Sequence, residues 1–136
     1  MNMDMATMRP VIVKQLPEML SVEQGRAFLR EAEHSLTAAR PQVVLDCSRV
    51  RQLDSAGIQV LLRCLEEAMK RNGDVKLASV PPAAAAILRM TRVDGLFEVF
   101  DNTSDAVDSF YQFPAFAFQH EALQSGYANS GTESIA

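Results

Sequence analysis

Val43, Val44 and Leu45 form an unbroken apolar run between Pro41 and the polar segment Asp46-Cys47-Ser48-Arg49. Successive side chains of a strand point to opposite sides of a sheet, so a run without polar alternation needs cover on both faces. Such a strand requires neighbours along its edges and helices above and below. That restricts the chain to a layered α/β arrangement with this run near its centre.

The remaining segments supply those neighbours in alternation. Val11-Ile12-Val13-Lys14-Gln15-Leu16 is β-branched and bounded by Pro10 and Pro17, a short first strand between two breakers. Ser21 reads as an N-cap with Gln24 three residues on. Val22, Gly25, Leu29, Ala32 and Leu36 then mark one face of a first helix that ends before Pro41. A second helix is predicted over residues 55–71, with Ile58, Leu61, Leu62, Leu65 and Met69 on its apolar side and Arg63, Glu66, Glu67 and Lys70 opposite. Asn72-Gly73 supplies its left-handed stop. Residues 75–80 alternate into another strand, and Pro81-Pro82 blocks it and opens an alanine-rich third helix over residues 83–90. Residues 96–100 read as a last short strand. A fourth helix follows, with Ser104 as N-cap, Asp105 in its first turn and Ala106, Val107, Phe110 and Tyr111 on one face. The predicted fold is α/β, a mixed, largely parallel sheet of about four to five strands packed with about four helices.

The length of 136 residues suits one domain. Residues 1–9 are expected to be a flexible N-terminus, 10–113 the folded domain, and 114–136 an aromatic and then polar tail without order of its own. Within that boundary region, Phe113-Pro114-Ala115-Phe116-Ala117-Phe118 concentrates aromatics that could dock on the domain body or on a partner, and the body is the expected place. A net charge of -4 leaves no broad cationic surface, which argues against nucleic acid and against anionic membranes as partners. The first eight residues have neither a basic nor an apolar signal region, and no apolar run is long enough to span a bilayer, so a cytoplasmic location is expected. Cys47 and Cys64 fall in a buried strand and on a buried helix face and read as reduced core thiols. With no CxxC pair, no Cys/His cluster and no glycine-rich phosphate loop, neither a metal nor a cofactor is expected.

Between the central strand and the second helix, Asp54 and Ser55 stand where helix N–H groups lack intrahelical acceptors, so an anion is well placed there. The same pair would also serve as a simple cap, with Gly57 allowing close packing. Asp46 reads as a turn-forming carboxylate. A serine hydrolase does not fit. Ser55 is not in a G-x-S-x-G turn, and the two histidines, His34 and His120, lie off the apolar pattern.

Val43-Val44-Leu45-Asp46-Cys47-Ser48 followed by Leu53-Asp54-Ser55-Ala56-Gly57-Ile58 resembles the STAS family of anti-sigma factor antagonists, whose hallmark is an Asp-Ser-x-Gly turn after a buried strand. The likeness continues through Gly73-Asp74-Val75-Lys76-Leu77, Val80-Pro81-Pro82-Ala83 and residues 88–97, and spans roughly residues 11–112. It implies a STAS-like fold and a non-enzymatic switch. In antagonists of this type, the serine matching Ser55 is phosphorylated by a partner that is both an anti-sigma factor and a serine kinase of the histidine-kinase-like ATPase type. A PP2C-type phosphatase reverses the modification. Partner binding is then expected at Asp54, Ser55, Ala56, Gly57 and Ile58, with Ser21 where antagonists often carry an Asp. Two other departures are a single N-terminal strand in place of a hairpin and Arg92 in place of a usual Gly. The alternative that the resemblance leaves open is a constitutive scaffold subunit of a lipid- or anion-transport complex.

Overall fold

Strands β1 (Ile12–Gln15), β2 (Gln42–Asp46), β3 (Asp74–Ala78) and β4 (Val99–Phe100) form a sheet of order β1-β2-β3-β4 in the computed structural model, which describes residues 10–111. All three ladders are parallel. Parallel neighbours need a crossover each time, and the helices α1 (Val22–Leu36), α2 (Ser55–Met69) and α3 (Pro82–Met90) supply them. Helix α4 (Thr103–Tyr111) closes the described chain. The expected largely parallel α/β sheet with four helices is what forms. β4 is shorter than the apolar pattern suggests, because Asp94–Leu96 winds into a 3-10 turn ahead of it.

β2 explains its own sequence. Val43 and Leu45 enter the main core with Phe28, Ala32 and Leu36 of α1, Leu61, Cys64 and Leu65 of α2, and Leu88 of α3. Val44 points the other way and meets Ala78 and Ala106 under α4. β3 is covered on both sides too, so Val75 to Ala78 are all buried, although the sequence reads as alternating. Lys76 hides the distinction. It is 7% exposed, its ammonium donates to Ser109 Oγ at 2.6 Å, pairs with Glu98 Oε1 at 3.0 Å, and lies 4.1 Å from the centroid of the Phe110 ring. A lysine stem packs like an apolar residue when its head finds such partners.

Four expectations shift in detail. The inner stripe of α2 is Gly57, Val60, Leu61, Cys64, Leu65 and Ala68, while Met69 is 60% exposed. The stripe is rotated because α2 must meet α1 as well as the sheet, and small residues fit the narrow space between them. On α1, Phe28 fills the core position and Val22 is 57% exposed. The cap of α4 is Asn102 rather than Ser104: its Oδ1 accepts the Asp105 N–H at 2.7 Å, and its carbonyl accepts from Ala106 at 3.3 Å. Asn and Ser cap equally well, and only the chain direction entering the helix selects between them. The stop after α2 is divided between two residues. Asn72 takes the left-handed conformation at φ 62°, and Gly73 makes room where a Cβ would collide with Pro41.

Candidate functional site

α2 begins at the site. Asp54 is extended (φ -114°, ψ -170°), and its Oδ1 accepts the Gly57 N–H at 3.0 Å while its carbonyl accepts from Ile58 at 3.0 Å. It is therefore the N-cap, and Ser55 is the first helical residue. Ser55 is exposed, and its hydroxyl has no hydrogen-bond partner among the described residues. The Ser55 and Ala56 N–H groups lack acceptors within the helix, so the positive end of the helix dipole lies beside that hydroxyl.

A second segment is fastened beneath this turn. Arg51 and Gln52 donate their N–H groups to the Glu18 carbonyl at 2.7 and 3.2 Å, and Met19 bridges to Gln52. Leu20 is fully buried and lies directly under Gly57, where an added Cβ would stand 2.8 Å from Leu20 Cβ and 2.7 Å from Leu53 Cδ1. Gly57 is thus the residue that lets residues 16–21 lie against the start of α2. It brings the N-termini of α1 and α2 together. Ser21, half-buried, uses its Oγ to cap α1 by accepting the Gln24 N–H at 3.3 Å.

The predicted site residues therefore separate by exposure. Asp54 and Ser55 face solvent, Ala56 and Ser21 are half-buried, Gly57 is buried, and Ile58 packs partly into the main core. Next to them runs a groove of about 400 Å³ between α1 and α2, lined by Val22, Arg26, Leu29, Ala56, Gln59 and Arg63 among others. Val22, which the sequence pattern assigned to the apolar face of its helix, and the nearby Met19, 44% exposed, are apolar surface here. Its exposure was hidden from the sequence because Val22 repeats in register with the buried stripe of its helix.

The other marked residues have structural roles. Asp46 Oδ1 accepts the Ser48 N–H at 3.0 Å and shapes the turn after β2. Cys47 and Cys64 are buried free thiols, and burial pushes both up to about 12. At Cys47 the nearby Asp46 charge adds to that rise, against the hydrogen bond with the backbone of Ala78. His34 is exposed, and His120 lies outside the described residues, as does the aromatic segment 113–118. Among the described residues no group of three His, Cys, Asp or Glu side chains is placed to hold a metal ion, and no helix is long and apolar enough to cross a membrane.

Residues 14–98 match the family model described as Mlab, STAS domain. The chain belongs to the STAS domain family. Solved STAS structures share its fold. A Thermotoga maritima protein proposed to be an anti-sigma factor antagonist superposes with a TM-score of 0.68 at 21% identity, covering 75% of this chain and 88% of that one. An anti-sigma-factor antagonist (STAS) domain protein from Planctomyces limnophilus gives 0.63 at 23% identity, covering 74% and 90%. The SulP transporter STAS domain from Vibrio cholerae gives 0.62 at 18%, covering 76% and 82%. STAS domains are non-catalytic regulatory or scaffold modules.

Proposed function

We propose that this STAS domain is a phosphorylation switch of the anti-sigma factor antagonist type. In this reading it binds an anti-sigma serine kinase of the histidine-kinase-like ATPase type while Ser55 is unmodified and lets go once Ser55 is phosphorylated, with a PP2C-type phosphatase resetting it. The observation that supports the reading is the exposed Ser55 hydroxyl at the first position of α2, without a hydrogen-bond partner among the described residues and beside N–H groups that lack acceptors within the helix. Phosphorylation adds about -1.5 to -2 charges, which a helix N-terminus tolerates, so the fold need not change. A partner fitted to a neutral hydroxyl next to Asp54 meets concentrated negative charge instead. Unit charges of like sign about 4 Å apart repel by about 4 kcal/mol at an effective dielectric near 20, and about 1.4 kcal/mol is already tenfold in affinity.

The Mlab name of the family model and the likeness to a SulP transporter STAS domain favour a second reading, a constitutive scaffold subunit of a lipid- or anion-transport complex. One experiment separates the two. The protein is incubated with ATP and a histidine-kinase-like serine kinase encoded beside it, its mass is measured, and binding of that kinase is followed by calorimetry. The switch predicts one phosphoryl group on the Ser55 peptide, none in Ser55→Ala, and at least tenfold weaker binding by Ser55→Asp at an unchanged melting temperature. Unchanged mass with equal affinity for wild type and Ser55→Asp supports the scaffold.

A further inference from the structure

The two faces of the sheet are unequally covered. Helices α1, α2 and α3 close one face with the main core, whereas among the described residues α4 alone lies on the other and packs chiefly on β2, β3 and β4. β1 is left over. Val13 stands beside Val44 in the parallel ladder, so both point to the α4 face. Val44 is fully buried there, and Val13 is 45% exposed.

The uncovered strip begins where α4 ends. Val11 packs against the α4-side cluster together with Val107 and Phe110, which places the last turns of α4 beside the start of β1. A second observation marks the same place. Gln42, the first residue of β2, shares the face of Val44 two residues on, and its side-chain Oε1 is buried without a hydrogen-bond partner among the described residues. A buried acceptor of this kind is costly unless a donor reaches it.

The chain continues from Tyr111 as Gln112-Phe113-Pro114-Ala115-Phe116-Ala117-Phe118. Pro114 cannot continue a helix, and it biases Phe113 to an extended conformation. In extended chain Phe116 and Phe118 fall on one side and Ala115 and Ala117 on the other. Seven extended residues reach roughly 23 Å, against about 13 Å for a strand the length of β1.

We propose that residues 112–118 lie along β1 on the α4 face, with the Phe116 and Phe118 rings over Val11 and Val13 and a donor from the first of these residues meeting Gln42 Oε1. The segment completes the layer that α4 begins. It occupies a surface on the opposite side of the sheet from α1 and α2, so the inference stands apart from the role of Ser55.

The test uses the full-length chain with labelled valine methyls. Nuclear Overhauser contacts are expected from Val13 methyls to the rings of residues 116 and 118, with an upfield ring-current shift. In Phe116→Ser/Phe118→Ser those contacts vanish, the Val13 methyls return toward random-coil shifts, and the melting temperature falls by about 4–8 °C while the remaining amide spectrum is kept. Val13→Ser lowers the melting temperature similarly and adds little to the double variant. Val13 methyls without ring contacts, and unmoved in the double variant, overturn the proposal. So do contacts that disappear on dilution or arise only between differently labelled molecules, since a second copy is then the occupant.

Discussion

At Gly57 two demands meet. Its N–H closes the Asp54 cap, and its missing side chain admits Leu20 against the start of α2. Gly57→Ala keeps the first and violates the second. It is expected to cost about 1–3 kcal/mol, read as a lower midpoint in chemical denaturation. Arg92 presents the reverse case. It takes φ 63° at the end of α3, a left-handed conformation that costs an L-residue about 1–2 kcal/mol. Arg92→Gly is expected to stabilise the protein by up to about 1 kcal/mol in the same assay, the gain being trimmed by the greater freedom of glycine in the unfolded chain. Asp54 and Ser55 were legible as a helix start because capping is a local matter of residue type. The choice of Asn102 over Ser104 was not legible, because both are good caps two residues apart and only the path of the preceding strand decides.

Helix and strand periodicity located the four strands and four helices, though neither the 3-10 turn at Asp94–Leu96 nor which way each helix faces. The apolar stripe read along α2 included Met69, whereas the buried face turns toward Cys64 and Ala68. A helix that touches a sheet and another helix buries a wider arc than one period suggests, and small residues inside it give a weak signal. Removing the cap by Asp54→Ala is expected to cost about 1 kcal/mol of stability without displacing Ser55 from the surface, as thermal unfolding measures. β3 adds a pH dependence through Asp74 at its first position. Burial holds the Asp74 carboxyl above its ordinary value, although its hydrogen bond from the Val75 N–H at 2.8 Å and the Lys76 charge oppose the rise. The folded protein thus binds this proton more tightly than the unfolded chain does. Stability from this group falls as pH rises from about 4 through the raised value. Asp74→Asn, which keeps the acceptor, is expected to be more stable than wild type at pH 7, with the difference fading below about pH 4 in paired denaturation curves.

For the molecule as a whole, alternation of strands and helices was enough to foresee parallel layers around β2. It could not show that α4 packs on the second face, since an amphipathic pattern tells which side of a helix is apolar and not which side of a sheet it meets. Lys76 joins those parts by reaching from the centre of β3 to Ser109 and Phe110 of α4. Lys76→Ala is expected to cost about 2 kcal/mol or more through lost packing under α4. Lys76→Met keeps the stem and is expected to stay within about 1 kcal/mol of wild type, both read by denaturant titration. The main core on the other face has a practical consequence through its two cysteines. Neither sulfur is a nucleophile while the protein is folded, because burial keeps both as neutral thiols. An alkylating reagent must wait for the chain to open, so its rate of incorporation serves as a built-in clock for unfolding.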